Sequence, residues 1–259
     1  MEIVPIPLLS DNYGYLLIHA DGIRAAIVDC SEATPVLAEV TRRNLKLEAI
    51  LATHWHFDHV GGNEEVARAI PGIRVLGSAG EEGRVPALTE PLADGDEFEV
   101  VGVRGRAIAI PSHTKGHVAY FFQEGTPSVF SGDTLFAAGC GRLFEGSAEQ
   151  MAHSLAKLMA LPDDTRVFCG HEYTEGNLRF AASLEPTNSD INAKIERVRA
   201  LRANDQPSIP STIAEEKLTN PFVRSSSTEL QASVRARYPD LGDDPIAVFA
   251  KTRELKDNF

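Results

Sequence analysis

The chain has 259 residues, 43% hydrophobic and 24% charged, an ordinary globular composition with room for one main domain and a small appendage. Its formal net charge of −12 argues against nucleic acid, which wants a basic footprint, and repels small anions at long range unless local Arg and Lys offset that field. No apolar run approaches the ~20 residues of a membrane span, so no membrane partner is expected.

Met1-Glu2-Ile3-Val4 has no basic region leading into an apolar stretch, and Cys30, Cys140 and Cys169 are an odd count at irregular spacing. A reducing cytoplasm without disulfides is the expectation.

Ile3 to Pro7, Tyr13 to His19 and Arg24 to Asp29 read as strands of a first sheet, separated by turn signals at Asp11-Asn12 and Asp21-Gly22. Thr34-Pro35 predicts a helix to about Asn44, with Thr34 as N-cap and Pro35 at the first helical position. Leu47 to Ala52 is a short buried strand, Asn63 to Ile70 a helix ended by Pro71-Gly72, and Ile73 to Gly77 a strand. Phe98 to Val101, Arg104 to Ile110, Val118 to Phe122 and Ser128 to Ser131 form a second set of strands. Ser147 to Leu161 is a helix with Ser147 and Gln150 as its capping box, and Val167 to Cys169 is one more buried strand. After Tyr173 strand signals stop. Asn177 to Leu184, Ile191 to Ala203, Glu229 to Tyr238 and Ile246 to Lys256 read as helices, with Pro207, Pro210 and Pro221 marking an irregular stretch between them. The division expected is a first domain over 1–173 and a helical one over 174–259.

The stretch that carries chemistry runs from Thr53 to Gly62, Thr-His-Trp-His-Phe-Asp-His-Val-Gly-Gly. His54, His56, Asp58 and His59 are residue types that zinc and its neighbours prefer. In an extended exit from the preceding strand, His54, His56 and Asp58 would share a face. His59 breaks the alternation, so a turn is needed there, and Gly61-Gly62 would supply its freedom. One ion rarely takes four ligands from one tight loop, so the spacing suggests two adjacent ions. Further donors sit at later strand ends: His113 and His117 in Pro111-Ser112-His113-Thr114-Lys115-Gly116-His117, Asp133 in Ser131-Gly132-Asp133-Thr134, and His171 in Gly170-His171-Glu172-Tyr173.

The first loop resembles the signature of the metallo-β-lactamase superfamily, and the later donors match its other motifs in order. The resemblance implies an α+β fold, a four-layer αββα sandwich, here with a helical C-terminal domain. It implies that His54, His56 and His113 hold one ion, that Asp58, His59 and His171 hold the other, and that Asp133 bridges them. His117 matches a family position that is not a ligand and reads as a supporting residue. His19 and His153 match nothing, and His153 is expected on a helix surface. Cys140 and Cys169 read as small buried residues.

Gly132 to Arg142 is similar to the corresponding segment of the hydroxyacylglutathione hydrolases, the glyoxalase II family. So are Ile209 to Glu216, Asn220-Pro221-Phe222 and Arg253-Glu254-Leu255-Lys256-Asp257. That resemblance implies that the helical tail grips glutathione: Arg253 and Lys256 at the glycine carboxylate, Arg142 and Tyr173 along the peptide. Many members carry Lys where this chain has Arg142, and Tyr where it has Phe144. Arg keeps a fork for carboxylates, whereas Phe144 has no hydrogen bond to donate.

Two divalent cations, with zinc first and iron or manganese as alternatives, would meet Asp58, Asp133 and one hydroxide. The site would be left slightly positive, which suits an anionic transition state. Asp58 would orient the bridging hydroxide. The expected reaction is hydrolysis of S-D-lactoylglutathione to D-lactate and glutathione by a monomer in the cytoplasm. Rival readings are a lactone, lactam or phosphodiester hydrolase, a one-iron persulfide dioxygenase, and a non-catalytic metal-binding module. The Asp58-His59 pair speaks against the dioxygenase, and the lack of cysteine-rich ligand sets against the module.

Overall fold

Alternation along the strands builds the layers of this computed structural model, which describes residues 1–259. In β2 (Asn12–Ile18), Tyr13, Tyr15 and Leu17 point into a core shared with Phe98, Tyr120, Phe130 and Phe168. Leu16 and Ile18 point the other way, against Val36, Val40 and Val66. A strand buried on both faces needs no polar alternation, which is why its sequence reads as an almost continuous apolar run.

The first sheet orders β1 (Glu2–Leu8), β2, β3 (Arg24–Val28), β4 (Lys46–Leu51), β5 (Arg74–Ser78) and β6 (Glu90–Leu92), antiparallel at first and parallel from β3 onward. Its outer face carries helices α1 (Ala33–Arg42), α2 (Phe57–Val60) and α3 (Asn63–Ala69). The second sheet is built from β7 (Glu97–Val100), β8 (Val103–Ala109), β9 (Val118–Phe122), β10 (Ser128–Gly132), β13 (Arg166–Cys169) and β14 (Ser211–Thr212), with β10 and β13 parallel. A small hairpin, β11 (Leu135–Phe136) with β12 (Gly139–Cys140), lies between them in sequence.

Outside the second sheet pack α4 (Ala148–Met159) and helices of the tail: α5 (Thr174–Leu184), α6 (Ser189–Arg202), α7 (Ile213–Thr219), α8 (Thr228–Arg237) and α9 (Pro245–Asp257). One apolar cluster joins Ile108, Phe121 and Val129 of the sheet to Leu155 of α4 and to Ile213, Phe222, Leu230 and Phe249 of the tail. The architecture is the αββα sandwich with a helical C-terminal region.

The Ser147–Gln150 capping box forms in both directions, and His153 is exposed on α4. Elsewhere the local reading needs correction. Helix α1 starts at Ala33 with Glu32 before it, so Thr34 is not the N-cap. Pro35 falls in the first turn, where a missing N–H costs nothing. The chain bends at Thr53 and His54 on leaving β4 and then makes the single turn α2, so the extended exit is not formed and Asp58 and His59 project from helical backbone.

Gly61 and Gly62 have ordinary right-handed angles, with φ of −59° and −87°. They are required for close approach: a Cβ at Gly61 would lie 2.8 Å from the Ser31 carbonyl, and one at Gly62 2.6 Å from the Ala33 nitrogen.

Short elements escaped the pattern. β6 contains a proline tolerated on an edge strand, and β11, β12 and β14 are two-residue pieces. β14 also means that strand structure does not end at Tyr173. Helix α7 lies inside the proline-marked stretch, started by Thr212, whose Oγ1 accepts from the Glu215 N–H at 3.2 Å.

Candidate metal centre and cleft

Five of the seven predicted donors sit just past the carboxyl end of a strand: His54 and His56 after β4, His113 after β8, Asp133 after β10 and His171 after β13; Asp58 and His59 follow on α2. A glycine at position 170 lets two of these segments meet, since a Cβ there would fall 2.4 Å from Asp133 Oδ1.

The structure brings all seven predicted donors together. His54, His56 and His113 form one group of mutually close ligand atoms, Asp58, His59 and His171 a second, and His54, His59 and Asp133 a third. His56 Nδ1 lies 3.1 Å from both His54 Nε2 and His113 Nε2. Nitrogens held ~2.0–2.1 Å from one tetrahedral zinc would stand about 3.3 Å apart, close to this spacing. Asp133 reaches both sides, with one oxygen 3.3 Å from His59 Nε2 and the other 3.3 Å from His171 Nε2 and 3.5 Å from His113 Nε2. His59 Nε2 and Asp133 Oδ1 are buried and have no hydrogen-bond partner. Buried polar atoms without partners are costly unless a bound group completes them. The donor set therefore fits divalent metal ions.

The outer contacts fix which nitrogen faces inward. His54 Nδ1 lies 3.1 Å from Thr53 Oγ1, which itself donates to Asp29 Oδ2 and must accept from the ring. His59 Nδ1 donates to Asp29 Oδ2 at 2.9 Å, His113 Nδ1 to the Arg142 carbonyl at 3.0 Å, and His171 Nδ1 to Asp11 Oδ1 at 2.8 Å. Each contact leaves an Nε2 lone pair facing the cluster. His56 is the exception and turns Nδ1 inward. His117 accepts the Asp133 N–H at Nε2, 3.1 Å away, and stacks on His54, which keeps it outside the donor set. Asp11, Asp29 and Thr53 were not singled out from sequence. Asp11 reads there as a turn residue and Asp29 as the end of a strand, and only their position beside donors gives them a role.

Burial drives the His54, His56 and His113 imidazoles below their ordinary pKa, so they stand neutral and ready to ligate. Burial also opposes charge on His59 and His171. The Asp133 carboxylate outweighs it, with Asp29 beside His59 and Asp58 beside His171, and raises both, His171 to about 10.

A proton-coupled effect follows. A metal held by this cluster would displace protons from His59 and His171, so apparent affinity is expected to rise from pH 6 to pH 8, with up to about two protons released per chain near neutrality. Calorimetry in buffers of different ionisation enthalpy measures that count; a pH-independent affinity would contradict it.

A cleft of about 730 Å³ opens from the donors toward the tail. All four residues expected at a substrate line it. Tyr173 stacks on His171 with ring centroids 4.7 Å apart and planes 6° off parallel. Arg142 is exposed, with Nε 4.0 Å from Asp257 Oδ1. Lys256 is half-buried and donates to the Gly176 carbonyl at 3.3 Å. Arg253 is buried, donating to the Cys140 carbonyl at 2.9 Å and, from Nε and Nη2, to Asp257 Oδ1 at 3.1 and 2.9 Å. Arg179 also lines the cleft and was missed, because one Arg on an amphipathic helix carries no pattern of its own. Phe144 lies beside the donors, its ring 5.1 Å from that of His113. All three cysteines are free and buried.

Comparison with known proteins places this architecture. Residues 15–171 match the family model described as Metallo-beta-lactamase superfamily, and residues 172–259 match Hydroxyacylglutathione hydrolase C-terminus. A solved structure of TTHA1623 in a di-iron-bound form aligns over 86% of this chain and all of its own, with 26% identity and a TM-score of 0.61. Fold and site are thus those of a metallohydrolase of the metallo-β-lactamase superfamily. Curated proteins named hydroxyacylglutathione hydrolase are similar over essentially their whole length. The one from Synechococcus sp. is 46% identical with both chains fully covered, and the one from Gloeobacter violaceus is 49% identical over 97% of each. Within the superfamily, the chain belongs to the hydroxyacylglutathione hydrolase family.

Proposed function

We propose that the chain hydrolyses S-2-hydroxyacylglutathione thioesters, typically S-D-lactoylglutathione, to the 2-hydroxy acid and glutathione, the second step of methylglyoxal detoxification. The observation that carries this reading is one cleft that joins the seven-donor cluster to cations supplied by the tail. The site would hold two divalent ions, zinc first, with iron or manganese as alternatives for these donors. Bound there, the ions would lower the pKa of a water from ~15.7 to ~7 and polarise the thioester carbonyl.

The chain's own residues supply position and charge. Asp58 stays ionised against its partial burial, helped by His171 and by Asn12, whose Nδ2 donates to its Oδ2 at 3.1 Å. That carboxylate would accept a hydrogen bond from the attacking water. His54, His56 and His113 would hold one ion, Asp58, His59 and His171 the other, with Asp133 between them. Arg253 and Lys256 would hold the glycine carboxylate, Arg142 and Tyr173 the peptide, and residues 174–259 act as the substrate-binding domain. The glutathione sulfur leaves as a thiolate, whose conjugate acid has a pKa near ~8.5, so no dedicated general acid is required.

The cleft is complete within one chain, which supports action as a monomer. No helix is long and apolar enough to cross a membrane, and three unpaired thiols suit a reducing cytoplasm.

The test is turnover of S-D-lactoylglutathione beside a lactone, a lactam and a phosphodiester, with metal content measured on the same sample. Preference for any of the other three would overturn the assignment. Within it, Lys256→Ala is expected to raise KM about tenfold and to change kcat less, because its contact lies far from the reacting carbon. Loss confined to kcat would remove Lys256 from substrate binding.

A further inference from the structure

The cleft gathers four cations, Arg142, Arg179, Arg253 and Lys256, in a protein of net charge −12. Their capacity to bind an anion differs. Arg253 is buried, and three of its five N–H donors are already committed, to the Cys140 carbonyl and to Asp257. Its guanidinium braces β12 against α9 and keeps two N–H donors for a ligand. Arg179 is exposed and forms no ion pair and no hydrogen bond, so its whole fork is free.

It lies beside Gly176, one turn earlier on α5. Arg179 Nη2 lies 3.7 Å from where a Cβ would stand on Gly176, and Lys256 Nζ donates to the carbonyl of the same residue. Two cations thus flank one peptide unit, from α5 and from α9. Their mutual repulsion shows at Lys256, whose ammonium is held below its ordinary pKa by burial and by the charges of Arg253 and Arg179. Such a pair stores unfavourable energy until an anion lies between its members, and a guanidinium beside an ammonium offers a carboxylate both a fork and a point charge.

We infer that Arg179 is a further substrate-binding residue, which joins Lys256 and Arg253 at the glycine-end carboxylate of the glutathione moiety. The inference rests on the thioester reading above and adds a residue to it.

The test compares S-D-lactoylglutathione with the same thioester carrying a carboxamide at its glycine end, using the native protein, Arg179→Ala and Arg179→Lys. The native protein is expected to prefer the acid. Arg179→Ala should raise KM for the acid about tenfold with kcat within about twofold, and the preference for acid over carboxamide should fall by the same factor. Arg179→Lys should recover part of it, because charge returns without the fork. An unchanged preference in Arg179→Ala overturns the inference, as does a loss that falls on kcat alone. So does a loss that instead tracks amidation of the γ-glutamyl carboxylate.

Calorimetric binding of glutathione and of its glycine carboxamide repeats the comparison without turnover. A protein that bound the tripeptide through Arg179 yet left the thioester intact would refute the activity and keep the subsite.

Discussion

Asp133→Asn is expected to cost more activity than any other single substitution, at least ~10³-fold in kcat, together with much of the bound metal. Changes one layer outside a metal typically cost 10- to 100-fold, and a shared donor should exceed that range. The reason is geometric and electrostatic together. Asp133 reaches His59 through one oxygen and His113 and His171 through the other. It is also the carboxylate that most strongly raises His59 and His171. An amide keeps one oxygen and no charge, so it gives up one of these two contacts and the negative charge at the centre of the cluster. Metal analysis by atomic emission beside a thioesterase assay checks this. Native metal content with near-native turnover would exclude Asp133 from the centre.

Glu216→Ala is expected to destabilise the fold by about 3 kcal/mol, the lower end of the cost of breaking a buried ion pair, because Lys194 keeps Glu215 as a second carboxylate 2.8 Å away. Lys194 and Glu216 are both fully buried, and their charged ends are 2.8 Å apart. The second carboxylate oxygen of Glu216 accepts from the Ala138 N–H at 2.8 Å and from Asn220 Nδ2 at 2.9 Å. Ala138 sits at the tip of the β11–β12 hairpin with a φ of 56°, a left-handed conformation that a side-chain-bearing residue holds only when its surroundings require it. The same hairpin carries the Cys140 carbonyl that Arg253 grips. Denaturant unfolding should therefore show the loss of stability, and the folded fraction of the variant should also show a higher KM. Replacing Lys194 and Glu216 together by apolar residues of similar volume should restore part of the stability. Failure of Glu216→Ala to shift the unfolding midpoint would mean that the pair contributes nothing net.

What could be read in advance follows from how each feature is encoded. Donors crowded as H-x-H-x-D-H declare themselves, and the seven side chains named from sequence do lie in one cluster. Strands buried on both faces and the Ser147 box are equally plain. The turn at Phe57 was missed because a four-residue helix has no periodicity. Gly61 and Gly62 suggested unusual dihedral angles, whereas the structure needs their missing side chains. Which glycines meet a neighbour's backbone is a tertiary fact. Asp11, Asp29 and Thr53 were illegible for the same reason. The Asp29 contact with His59 spans thirty positions, and that of Asp11 with His171 spans 160. Arg253 was legible as a cation of the tail, but its commitment to Cys140 and Asp257 was not.

The tail lends the second sheet its edge strand and lends the outer cluster Ile213, Phe222, Leu230 and Phe249. It is therefore not a detachable accessory. A shortened chain ending at Tyr173 would present bare apolar surface where those side chains now lie, and would be prone to stick to itself. Lineages carrying this scaffold are thereby constrained: new preferences must come from altering individual cleft-facing positions on the existing helices, since swapping in a foreign tail would remove the wall that the rest of the molecule leans on.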